Sequence, residues 1–351
     1  MNGAMNDAIT GELKAVYDVV YYFAFHFARS VMAFLQRDSY LYWPFILSTI
    51  LIMVIMAHRA ARAGAEKGHT WRQQFNGYFS AAVWWHPSAR ADYRLYFANA
   101  LLLPLLFGWL VFSDAHIAAL MDTLLGRHVT PVAAPASPDG AGRILYTVVF
   151  FIAYDLGRFV AHSLLHDVPA LWAFHKVHHS AEVLTPMTAY RAHPLDLLVM
   201  VWVPALLTGL ATWAFNLFSN GPVSFFTFLG LHVALWAVNL IDNLRHSHVW
   251  VTYGPVIGRW IVSPAHHQLH HSCEQRHEKN GRGGCNRGFS LALWDRLYGT
   301  LRMPEARPEK FRMGLGDGTE PDWHSVRSMY LRPFAGCVRA IKGLFSRRVT
   351  H

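Results

Sequence analysis

Thirteen of the chain's 22 histidines fall between His162 and His271, in clusters with the spacing of metal ligands. His162 and His166 form an H-x-x-x-H. His175, His178 and His179 form an H-x-x-H-H, and His267, His270 and His271 repeat it, with His266 in front. Residues three and four apart share one face of a helix, so each cluster can present several imidazoles to one point. One ion takes three or four such ligands, and eight or more imply two ions. Imidazole suits iron, zinc, copper and nickel, so donor type alone does not select the metal. No H-E-x-x-H occurs, which removes the common zinc-protease pattern.

His193 stands in Arg191-Ala-His193-Pro194, and His246 and His248 follow an apolar run. His232 lies inside such a run, where a polar residue is a candidate ligand or ligand support. Asp155 lies seven residues before His162, two turns up the same face, where a carboxylate can accept the second ring N–H of a ligand histidine. The remaining histidines (His26, His58, His69, His86, His116, His128, His324 and His351) are isolated and read as incidental. Cys273, His277 and Cys285 do not match zinc-finger spacing.

The elements that must position these clusters are apolar. Of 351 residues, 53% are hydrophobic and only 15% charged, against about 25% charged in a soluble domain. This excludes a disordered chain, a coiled coil and a collagen-like chain, and three cysteines exclude a disulfide-stapled scaffold. Expected spans are 41–57, 95–112 (with Pro104 and Gly108 inside), 144–161, 195–218 and 223–240. The last two should form a hairpin about Ser219-Asn220-Gly221-Pro222. Residues 15–35 are a weaker candidate that spans or lies in the interface. Met1–Thr10 lacks a basic and an apolar segment, so no cleavable leader is expected.

The net charge of +9 lies between and after the apolar runs, which suits loops facing anionic lipid. No nucleic-acid-binding motif accompanies it, and none is expected as a partner. Arg59, Arg62, Lys67, Arg72, Arg90 and Arg94 put the first loop in the cytoplasm. The basic tail after residue 300 joins it, and the Pro/Ala loop 130–142 lies outside. Residues 162–194 and 242–351, and hence the histidine clusters, then share the cytoplasmic face.

In order, the chain reads Tyr154-Asp155, His162-x-x-x-His166, Leu171-Trp172-Ala173-Phe174-His175-Lys176-Val177-His178-His179-Ser180, then Arg191-Ala192-His193-Pro194. His246-Ser247 follows, then Ser263-Pro264-Ala265-His266-His267-Gln268-Leu269-His270-His271-Ser272. Asn286-Arg287-Gly288 and Trp294-Asp295-Arg296-Leu297-Tyr298-Gly299-Thr300 close the set. Residues 144–300 thereby resemble the fatty acid hydroxylase / sterol desaturase superfamily. The resemblance implies an all-α, multi-pass transmembrane bundle whose cytoplasmic histidine-rich helical cap holds two irons. It implies an enzyme that uses O2 and two electrons to hydroxylate or desaturate a C–H bond of a lipid (sterol-like, carotenoid, or fatty acyl or alkyl). The ligands would be His162, His166, His175, His178, His179, His246, His267, His270 and His271, with His193 added. Arg191 and Asp295 are candidate supports.

The chain departs from the family pattern in carrying His248 after His246-Ser247, and Asp242 four residues before His246. Asp242 reads equally as an iron ligand, a group orienting His246, or a helix-end residue in the interface. No haem or flavin motif is visible, so electrons must come from a separate reductase or redox protein. The expected organisation is N-terminal spans over 1–143, a catalytic region over 144–300 and a basic tail over 301–351. Trp172, Phe174, Trp202, Trp236 and Trp250 read mainly as interface anchors or core. Rival readings are a membrane metal transporter or sensor, a zinc-dependent lipid hydrolase, and an inactive family member.

Overall fold

The computed structural model describes residues 2–63, 70–107, 110, 112–125, 140–218, 224–274 and 284–348. The expected 219–222 turn, most of the 130–142 loop, and His69, His128, His277 and His351 lie outside them. The helices are α1 Asn2–Val31, α2 Trp43–Arg62, α3 Trp71–Gly77, α4 Ala81–Trp84, α5 Pro87–Phe107, α6 Asp114–Leu124 and α7 Gly140–Asp167. After them come α8 Pro169–His179, α9 Pro194–Phe218, α10 Val233–Asp242, α11 Gly254–Ile257, α12 Pro264–His270, α13 Leu293–Tyr298 and α14 Val326–Arg348. Among the described residues, three helices are long and apolar enough to cross a membrane: α2, α7 and Pro194–Leu217 within α9.

The expected spans 41–57, 144–161 and 195–218 fall largely in these three helices, whereas 95–112 lies partly in α5, which is not among them. Two others take another form. Residues 15–35 belong mostly to α1, whose described side chains between Tyr17 and Val31 are largely exposed. Residues 223–240 do not make one helix. Thr227–Phe228 (β1) pairs antiparallel with Leu231–His232 (β2), and only then does the ten-residue α10 begin. The cause is local: Leu229 (φ 49°) and Gly230 (φ 80°) are both left-handed, as a tight two-residue hairpin turn requires. His232 then caps α10, its Nδ1 accepting the Ala234 N–H at 3.1 Å, while its Nε2 meets the Thr147 carbonyl at 3.1 Å.

α9 packs against both α7 and α6, and two glycines set the approach. A Cβ on Gly157 of α7 would stand 2.5 Å from the Pro204 Cα of α9, and one on Gly209 of α9 would stand 2.5 Å from the Ile117 side chain of α6. Small residues let helix backbones come this close. α8 bridges α7 and α14, and α10 lies on α2. Prolines begin α8, α9 and α12, where the missing N–H costs nothing and the fixed φ suits the first turn. Pro169 also ends α7, so α8 starts anew and turns His175 toward His166, ring centroids 4.8 Å apart.

Candidate metal centre

α7 contributes His162 and His166, α8 contributes His175, His178 and His179, and α12 with its C-terminal residue contributes His267, His270 and His271. His246 follows α10. These nine side chains gather into two groups. In the first, one nitrogen from each of His162, His166, His175, His179 and His270 lies within 4.8 Å of the others. In the second, the same holds for His178, His246, His267 and His271.

The second group is too close-set for imidazoles alone. Nε2 of His267 stands 2.9 Å from that of His246 and 3.2 Å from that of His271. His246 Nε2 stands 3.4 Å from His178 Nε2. Each such nitrogen carries either one proton or one lone pair, so four of them make at most two proper hydrogen bonds, not three. Four ligands about 2.1 Å from one ion would lie about 3.0–3.4 Å apart. In the first group, Nε2 of His166, His175 and His270 is buried with no hydrogen-bond partner. Buried polar atoms are normally satisfied, and an ion would satisfy these. The donors fit a pair of metal ions.

In four of the nine histidines the nitrogen facing away from the centre has a partner. His162 Nδ1 meets the Arg287 carbonyl at 2.8 Å, His178 Nδ1 the Arg191 carbonyl at 3.2 Å, and His270 Nδ1 the Cys285 carbonyl at 2.7 Å. His175 Nδ1 meets the buried Asp196 carboxylate at 3.0 Å. Each acceptor favours the proton on Nδ1 and leaves Nε2 as the donor atom. Burial keeps the imidazoles neutral: it pushes His178 down to about 3, and His179, His246, His267, His270 and His271 well below the ordinary value.

Asp155 does not touch a histidine. Its carboxylate accepts the Ser290 N–H at 2.8 Å, the Leu291 N–H at 3.1 Å and the Trp294 indole N–H at 2.8 Å. It therefore pins the 290–294 segment to α7, because these three donors out-compete a ring two turns away on the same face. Asp295 accepts from the Arg287 N–H, the Gly288 N–H and the Thr300 hydroxyl at 2.7–2.8 Å. Burial raises its pKa, while these bonds act against the rise. Asp295 thus holds the strand of chain whose Arg287 carbonyl meets His162.

Arg191 is fully buried. Its guanidinium pairs with Asp92 at 2.6 Å and donates to the Val177 and Trp323 carbonyls and the Ser180 hydroxyl. Asp242 is ion-paired with Arg245, Oδ1 to Nε 2.7 Å, and lies in neither histidine group. His193 is also apart from them. Its Nδ1 accepts the Leu195 N–H at 3.1 Å and its Nε2 meets the Tyr330 carbonyl at 3.2 Å, so both nitrogens are taken up where α9 meets α14. His266 accepts the Ser263 N–H at 3.1 Å and caps α12, and His248 is exposed.

Sequence reasoning missed Asp196 and the Asp92–Arg191 pair. Asp196 sits in the first turn of α9, three residues after His193, and an acid opening an apolar run is the signal that was there to read.

A cavity of about 110 Å³ opens onto both groups. His162 and His175 of the first and His178, His246 and His267 of the second line it.

Residues 147–300 match the family described as fatty acid hydroxylase. An ornithine lipid hydroxylase of Rhizobium tropici is 29% identical over 58% of this chain and 57% of its own length. Human alkylglycerol monooxygenase is 29% identical over 47% of this chain and 32% of its own length. Mouse cholesterol 25-hydroxylase is 27% identical over 52% and 57%. The chain thus spans about half the length of the curated relatives it matches. No solved structure matches it significantly. These relatives are hydroxylases and monooxygenases, and they lend no support to the transporter or hydrolase readings. The segment 147–300, which carries every histidine of the two groups, belongs to the fatty acid hydroxylase family.

Proposed function

We propose that this chain is an integral membrane oxygenase that hydroxylates or desaturates a C–H bond of a lipid at a pair of irons. The observation that carries the reading is the pair of buried histidine groups sharing one cavity. His162, His166, His175, His179 and His270 would hold one iron, and His178, His246, His267 and His271 the other. Two irons would supply O2 activation, with two electrons from a separate reductase or redox protein, because no side chain attacks an unactivated C–H bond.

The chain's own residues do the rest. Asp196 and the carbonyls of Arg287, Arg191 and Cys285 hold the ligand rings by Nδ1 and turn their Nε2 atoms inward. Asp155 and Asp295 fix the 286–295 segment that covers the site. Leu197 and Met200 give the cavity an apolar wall on α9, which favours a lipid chain and excludes water. The positive-inside rule puts the histidine groups and the C-terminal tail on the cytoplasmic side.

Lipid profiling of host membranes with and without the chain tests the reading. The expected result is a lipid with one added oxygen atom, or with two hydrogens lost, that disappears without O2. Zinc uptake with no O2 consumption would overturn it.

A further inference from the structure

The cavity beside the histidines is lined by three arginines: Arg158, Arg245 and Arg287. Two have carboxylate partners. Arg245 pairs with Asp242 at 2.7 Å, and Arg287 Nη2 lies 2.9 Å from Asp167. The cavity's other carboxylate, Asp196, is engaged by His175 at 3.0 Å. Arg158 is the cation left over. Its Nε is buried without a hydrogen-bond partner, as is that of Arg245, but unlike Arg245 it forms no ion pair among the described residues.

Asp242 and Asp155 act on Arg158 at a distance, without pairing with it, and its close neighbour is a ring. Its Cζ lies 4.5 Å from the centroid of Phe289, and the Arg245 Cζ lies 4.8 Å from the same centroid. A cation–π contact orients a guanidinium but accepts none of its five N–H donors. A cation inside an apolar helix is costly and marks a ligand path when no partner accounts for it. Arg158 is one turn before His162 on α7, and both line the cavity. From there the apolar wall of Leu197 and Met200 leads away along α9.

We propose that Arg158 receives the anionic headgroup oxygens of the lipid, a carboxylate or a phosphate, with the chain lying along Leu197 and Met200. A planar guanidinium binds either group through paired N–H donors. Phe289 holds the guanidinium plane, and Asp242 keeps Arg245 from competing for the anion. This assignment rests on the oxygenase reading for its substrate, but not for its chemistry, since Arg158 belongs to neither histidine group.

The test is equilibrium binding of laurate, dodecyl phosphate and dodecanol to the full metal-loaded chain in nanodiscs. At least one of the two anions should bind about ten-fold or more tighter than dodecanol, and the tighter of them identifies the headgroup. Arg158→Gln should remove that preference while dodecanol binding and metal content stay unchanged, and Arg158→Lys should restore part of it. Dodecanol binding to the native chain as tightly as both anions overturns the proposal without any variant. A preference that survives Arg158→Gln also overturns it. Loss of the oxygenase reading alone would show as a native chain without its metals, and the three-ligand comparison can still be made on that chain.

Discussion

His175 and Asp196 face each other across the junction of α8 and α9, Nδ1 to Oδ2 3.0 Å, both side chains buried. Here the outward contact ends on a carboxylate, whereas those of His162, His178 and His270 end on backbone carbonyls. A carboxylate raises the basicity of the ring it holds. Asp196→Ala should weaken metal at the first group by about 10–100-fold, read by competition with a calibrated chelator. The second group, which Asp196 reaches only at a distance through His178, should be weakened far less. Equal weakening of both groups would show that the residue acts on folding instead.

The pH dependence of stability follows from His266. Burial pushes its pKa from 6.5 down to about 4. The unfolded chain therefore binds a proton near pH 6.5 that the folded chain refuses until about pH 4. The stabilising contribution is complete above pH 6.5, falls as the pH drops, and is gone by about pH 4, a loss on the order of 3 kcal/mol. His266→Asn keeps an acceptor for the Ser263 N–H and removes the titration. Its stability in denaturant should fall less steeply between pH 6.5 and 4. An unchanged slope would contradict the assignment.

Gly157 sets the distance between the helix that carries His162 and the helix that carries Asp196. Gly157→Ala places a methyl 2.5 Å from the Pro204 Cα, and backbone cannot swing aside as a side chain can. The variant should lose about 1–3 kcal/mol, measured by thermal melting in detergent. Gly77→Ala, where a Cβ meets nothing within 4 Å, should lose nothing.

Asp155→Asn removes one of the two oxygens that accept from Ser290, Leu291 and Trp294. Leaving a buried donor unmet costs about 1–3 kcal/mol. The expected phenotype is a lower melting temperature with metal content retained. Loss of metal at an unchanged melting temperature would return Asp155 to the histidine-orienting role that its spacing suggested.

Spacing singled out eight of the nine histidines, because i, i+3 and i+4 positions on a helix must share a face whatever the rest of the chain does; His246 entered through the family resemblance. Spacing did not divide them. His178 and His179 are neighbours in sequence, yet they point about 100° apart on α8 and fall in different groups. The same periodicity misled at Asp155, where the face was right but three donors from residues 290–294 arrive from outside the helix. His193 sits in a family motif, yet its two nitrogens serve the start of α9 and the Tyr330 carbonyl. The 223–240 run reads as a span by composition, and two left-handed residues, Leu229 and Gly230, override that. Tertiary partners such as Asp196 for His175 and Asp92 for Arg191 lie 21 and 99 residues away, beyond any local pattern.

The central claim is two ions in two histidine groups, and metal analysis of protein purified without oxygen tests it most directly. Two irons per chain are expected, with His270→Ala depleting the first group and His178→Ala the second, each variant keeping part of its metal. A single tightly held zinc, unaffected by either substitution, would contradict the account.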